Sequence, residues 1–104
     1  MIVQINSDNI LTVSKEKAEN YTSKITEDLK RFSSQLTRIE VHFTDENGIK
    51  TGINDIRCVM EARLEGMQPI AVTSKAGSRE EALAGAINKL KASLETITGK
   101  MSNH

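Results

Sequence analysis

The chain has 104 residues, 14 basic and 14 acidic side chains, and a formal net charge of zero. That length fits one domain with its own core, and neutrality excludes a grip on nucleic acid or membrane by total charge alone. One cysteine cannot close an internal disulfide, which fits a reducing cytoplasm.

"MIVQI" (Met1 to Ile5) reads as a short first strand. "MIVQINSDN" has no basic lead and no signal-length apolar run, and no stretch of the sequence approaches the roughly 20 apolar residues of a membrane span. A helix is expected from Ser14, with Ser14 as N-cap and Glu16 near the positive helix end. Its apolar stripe is Ala18, Tyr21, Ile25, Leu29 and Phe32, at spacings of three and four. "RIEVHFT" (Arg38 to Thr44) alternates, with Ile39, Val41 and Phe43 on one side and Arg38, Glu40 and His42 on the other. "DENGIKTGIND" supplies an Asn-Gly step and is expected to be a long hairpin connection.

"DIRCVMEARLEG" (Asp55 to Gly66) is the third strand. Ile56, Cys58, Met60, Ala62 and Leu64 share one face, while Arg57, Val59, Glu61, Arg63 and Glu65 share the other. "GMQP" turns the chain, Pro69 suits the start of a strand, and "IAVTSK" is the fourth strand. Ser78 with Glu81 forms a capping box for a second helix, whose stripe is Leu83, Ala86, Ile87, Leu90, Leu94 and Ile97. Gly99 is its expected stop, so residues 1–100 form the domain and 101–104 a flexible tail.

The order β-α-β-β-β-α, with one-sided strands and one-sided helices, predicts a two-layer α+β fold. Both helices cover one face of a four-stranded mixed sheet, and the other face meets water. The helix between the first two strands allows a parallel crossover, and the remaining connections are antiparallel.

Few residues offer reactive chemistry. Cys58 falls on the apolar face, where a thiol acts as a small hydrophobe. His42 points the other way and His104 lies in the tail, so no zinc-ligand spacing exists and no metal or cofactor is expected. Glu40 and Glu61 alternate with Arg38, Arg57 and Arg63 in the pattern of a solvated sheet face rather than a carboxylate pair. "KAGSRE" lacks the ending of a phosphate loop. No aromatic falls on the exposed face, which argues against base stacking there.

The helices carry segregated charge. Lys17, Lys24 and Arg31 are seven apart and form one stripe on the first helix, with Asp28 at its edge and Glu16, Glu19 and Glu27 on another sector. On the second helix Lys89 and Lys100 share a flank, and Lys91 lies across the apolar stripe from them. Helices lying side by side would gather these groups into a basic groove suited to phosphates.

"SREEALAGAINKLKASLE" (Ser78 to Glu95), "LKRFSSQLTRIEVHF" (Leu29 to Phe43) and "MIVQINSDNILTVS" occur in the order of three familiar segments. Together they resemble the bacterial ribosome hibernation-promoting factor and ribosome-associated inhibitor family, also called sigma-54 modulation proteins. "DENGIKTGINDIRCVMEAR" is similar to a proteobacterial variant of it. The resemblance spans nearly the whole chain and rests on several weak matches in order.

It implies a double-stranded-RNA-binding-like fold and a non-enzymatic cytoplasmic protein of stationary phase and stress. Such a protein binds small-subunit ribosomal RNA near the mRNA and tRNA channel. It implies a short form, monomeric off the ribosome, without small-molecule substrate or membrane partner. Lys89 carries over through "INKL", while Lys24 and Arg31 carry over by helix position. Arg79 and Glu80 depart from the apolar-aromatic pair common there. The alternative is a protein-interaction module using the charged sheet face around Arg57, Glu61 and Arg63. A small enzyme would need a nucleophile-base pair, and the residues offer none.

Overall fold

The structure is a computed structural model that describes residues 1–7, 13–45 and 56–102, and only the backbone of 100–102. Along the chain run β1 (Ile2–Ser7), α1 (Lys15–Asp28), a 3₁₀ turn (Lys30–Phe32), β2 (Leu36–Asp45), β3 (Ile56–Leu64), β4 (Ile70–Ala76) and α2 (Arg79–Ser102). The expected β-α-β-β-β-α order is the observed one. The hairpin expected over "DENGIKTGIND" falls on positions 45–55, of which only Asp45 belongs to the described residues.

The strands lie in the order β1-β2-β3-β4. β1 runs parallel to β2, whereas β2–β3 and β3–β4 are antiparallel. Alternation sets the faces as the sequence implied. Ile39, Val41 and Phe43 of β2 and Cys58, Met60 and Ala62 of β3 are wholly buried. Register places Phe43 opposite Cys58, Val41 opposite Met60 and Ile39 opposite Ala62. These three apolar cross-strand pairs form the floor of the core.

Both helices lie over that floor. Tyr21, Ile25 and Leu29 come down from the α1 side, and Leu83, Ala86, Ile87, Leu90 and Leu94 from α2. The Tyr21 and Phe43 rings meet at 5.6 Å and 54°, a tilted contact between the two layers. α2 also comes close to β4. A Cβ on Gly85 would stand 2.2 Å from Ser74 Oγ, so a side chain there would require the Ser74 hydroxyl to move aside.

Both expected caps form. Ser14 Oγ accepts from Lys17 N at 3.1 Å, and Ser78 Oγ accepts from Glu81 N at 3.2 Å. In the turn after β3, Gly66 takes a left-handed φ of 74°, a conformation costly for other residues.

Two boundaries differ from the sequence reading. The first stripe was expected to be one helix through Phe32, but α1 ends at Asp28. Phe32 N then donates to Leu29 O at 3.0 Å and Ser33 N to Lys30 O at 3.1 Å. A 3₁₀ turn stacks residues three apart, so Leu29 and Phe32 both stay buried while the chain tightens toward β2. Gly99 does not stop α2, which runs to Ser102. A glycine ends a helix when it turns left-handed, and Gly66 alone among the described glycines does so.

Because Phe43 closes the center of this layer contact, Phe43→Ala is expected to cost about 3–5 kcal/mol. Urea denaturation monitored by circular dichroism measures the loss.

Candidate nucleic-acid interface

Strand and helix directions fix the helix pair. α1 runs back along β1 and α2 runs back along β4. β4 has the direction of β2 and β1, so the two helices point the same way. Two contacts agree with this direction. Tyr21 Oη donates to Glu80 Oε2 near the start of α2, and Arg31 Nη2 pairs with Glu95 Oε1 at 3.0 Å further along it. A seam therefore runs from Tyr21 to Arg31 on one side and from Glu80 to Glu95 on the other, with Lys17 one turn before it.

The seam collects part of the expected basic set. Lys17, Tyr21, Lys24 and Asp28 stand at intervals of four, three and four, forming one row on α1. Tyr21 bonds across to Glu80, so this row borders the seam. On α2, Lys91 lies eleven residues after Glu80, about 20° round the helix from it at 100° per residue. Lys17, Lys24 and Lys91 thus share the seam, with Arg31 at its far end.

Its charge is more mixed than a basic groove. Lys24 Nζ pairs with Asp28 Oδ2 at 3.0 Å. Arg31 pairs with Glu95 and lies over the Phe32 ring, its Cζ 4.7 Å from the centroid. Arg31 is also off the α-helix, so the expected seven-residue stripe stops at Lys24. Exposed pairs of this kind are worth roughly 0.2–1 kcal/mol, so they hold these side chains only weakly. Lys17 and Lys30 are exposed. Lys30 carries no signal in the sequence, since it stands off the seven-residue stripe in a turn that the apolar spacing does not reveal.

Lys89 is elsewhere. It stands nine residues from Glu80, about half a turn round α2 and so on the flank away from α1. Its Nζ donates to the Thr73 carbonyl oxygen of β4 at 2.6 Å. Helical angle separated Lys89 from Lys91, but the choice of flank facing α1 depended on packing. Lys100 belongs to α2, and its side chain is outside the described residues.

The open sheet face is a charge lattice. Arg38 sits opposite Arg63 and Glu40 opposite Glu61, two like-charge pairs that would repel. Arg38 Nε meets Glu40 Oε1 at 3.1 Å, Arg63 Nε meets Glu61 Oε1 at 3.2 Å, and Arg63 Nη2 approaches Glu40 Oε2 at 3.9 Å. Arg38 Nη2 also donates to Gln4 Oε1. Each repulsive pair is thereby offset along the strands and across the diagonal. Tyr21, Phe32 and Phe43, the chain's three aromatics, are all buried, so this face offers no ring for base stacking.

Neither group with a perturbed acidity builds a reactive center. Burial pushes the Cys58 thiol from 9.0 up to about 12. Tyr21 rises from 10.0 to about 12, chiefly by burial and then by its bond to Glu80 and that group's charge. Among the described residues no cluster of His, Cys, Asp and Glu could hold a metal ion, and no helix is long and apolar enough to cross a membrane.

No family model and no curated protein matches the chain. Solved structures do. The N-terminal domain of Thermus thermophilus Protein Y superposes with a TM-score of 0.72 at 16% identity, covering 93% of this chain and 99% of that one. A ribosomal subunit interface protein from Coxiella burnetii superposes at 0.70 and 17% identity, covering 95% of this chain and 99% of that one. At these identities the likeness is one of fold, and it spans nearly the full length of all three chains. It agrees with the family resemblance read from the sequence.

The weakened acidity of these two groups has a stability consequence. Unfolded Cys58 and Tyr21 ionize near 9.0 and 10.0, the folded groups near 12. Their contribution is complete below pH 9 and is lost as pH climbs toward 12, because the unfolded chain releases protons first. Urea midpoints are expected to fall over that window, with a shallower fall in Cys58→Ala between pH 9 and 10.

Proposed function

We propose that this chain is a ribosome-binding factor that holds idle ribosomes out of translation. The observation that carries the reading is the fold shared end to end with a ribosomal subunit interface protein. The family resemblance in the sequence supports it independently. So does the α1–α2 seam, where Lys17, Lys24, Arg31 and Lys91 border one strip.

In this reading the seam lies against ribosomal RNA of the small subunit, near the mRNA and tRNA channel. Lysine ammonium groups contact phosphates, releasing counterions and positioning the protein without reading bases. Arg31 leaves Glu95 for a phosphate, aided by its planar donor array. Lys89 contributes from the opposite flank of α2, where it first gives up the Thr73 carbonyl, and Lys100 completes the proposed basic set. The sheet is the scaffold, and the protein acts by occupancy rather than catalysis. One binding domain includes α2 through Ser102, past the end at residue 100 expected from the sequence, and its place of work is the cytoplasm.

The second reading, a protein-interaction module on the open sheet face, draws on the charge lattice of Arg38, Glu40, Glu61 and Arg63. Its charges already compensate one another, which leaves less for a partner.

Charge reversal separates the two. Lys17→Glu, Lys24→Glu and Lys91→Glu together are expected to abolish co-sedimentation with ribosomes at moderate salt while preserving the circular dichroism spectrum. Arg57→Glu with Arg63→Glu is expected to leave it intact. The opposite pattern would move the site to the sheet. For the wild type, the logarithm of affinity should fall linearly with the logarithm of salt, with a slope near −0.7 to −0.9 per phosphate neutralized.

A further inference from the structure

The two outer strands are treated differently. β4 follows Pro69, contains Lys75, and has its Thr73 carbonyl occupied by Lys89. These are ordinary ways to blunt a sheet edge. β1, with the sequence IVQINS, contains neither proline nor charge. Among the described residues it pairs only with β2. Two of the three exposed large apolar residues among the described residues gather at its start, Met1 at 39% and Ile2 at 60%. Beside it an open groove of about 470 Å³ separates β1 from α1, lined by Val3, Ile5, Ala18 and Thr22 between Lys15 and Glu19.

We propose that β1 is a self-association edge, on which a second copy of this chain pairs its own β1 antiparallel. Three features favor a second copy. First, β1 is self-complementary about Gln4. A two-fold axis there sets Val3 opposite Ile5 of the second copy, and Ile5 opposite its Val3, all on the helix side. Gln4 meets Gln4 on the open side.

Second, the layers match. The two α1 helices lie on the same side of the joined sheet and face each other across the grooves beside β1. The outer flank of α1 carries Ala18, Thr22 and Ser23, small enough for that approach. Third, Lys15 and Glu19 make the flank neutral, and the chain's net charge is zero, so copies do not repel.

A six-residue strand and half a helix make a small interface, so the pair is weak and dissociates on dilution. That reconciles it with the monomer expected from sequence. The pair leaves the α1–α2 seam open, since Lys17 and Lys24 lie on the other flank of α1. The proposal stands apart from ribosome binding, and its test uses no ribosomes.

Sedimentation velocity from roughly 10 µM to 1 mM should show the weight-average mass rising toward a dimer. Amide exchange should slow with concentration at Ile2–Ser7. Ile2→Lys with Ser23→Lys, both at exposed positions, should weaken association at least tenfold while preserving the fold. Ala71→Lys on the opposite edge should behave as wild type. A monomer at every concentration would overturn the proposal. So would association unchanged in the double variant, equal weakening by Ala71→Lys, or slowed exchange on a surface other than β1.

Discussion

Ile39, Val41 and Phe43 on β2 and Cys58, Met60 and Ala62 on β3 project from one side of the sheet, and every other feature follows from covering them. A four-stranded sheet with one apolar face needs a second layer of matching width. Two helices supply it, one beside β1 and one over β3 and β4. Apolar burial at ~25 cal/mol per Å² is the largest favorable contribution in such a layer, and the surface charges contribute little beside it. Cys58 belongs to this floor: its sulfur fills space opposite Phe43, and burial suppresses its ionization.

Covering the floor with two helices of the same direction creates the seam. Both helices point the same way, and Tyr21 in the middle of α1 bonds to Glu80 at the start of α2. At the other end Arg31 reaches Glu95. The Arg31 pair offsets the charge of Glu95 in the free protein, whereas the neutral Tyr21 hydroxyl satisfies Glu80 by a hydrogen bond without cancelling its charge. A neutral protein can thus present a strip of lysines without carrying net positive charge. The open face solves a different problem. There Arg and Glu meet like partners in register, and diagonal ion pairs restore balance.

Much of this was legible in the sequence. Period-two alternation in "RIEVHF" and "IRCVMEARL" gave the buried face residue by residue, and Ser14 and Ser78 marked both helix starts. The rest depended on packing. Spacings of three and four cannot distinguish an α-helix through Phe32 from one that tightens to 3₁₀ after Asp28, since both bury Leu29 and Phe32. Which flank of α2 faces α1 is set by the sheet beneath, so Lys89 and Lys91 were equal candidates until the strands were placed. Gly99 had a stop signal's identity but not its backbone conformation.

The functional account joins a fold shared with a ribosomal subunit interface protein to a lysine-bordered seam on its helical layer. In the proposed function the protein resides on ribosomal particles by salt-sensitive contacts. The most direct test is its position in a sucrose gradient of stationary-phase lysate, detected by antibody, at low and high salt. The account predicts migration with ribosomal particles at low salt and release to the top of the gradient at high salt. A protein that stays at the top under both conditions would contradict it.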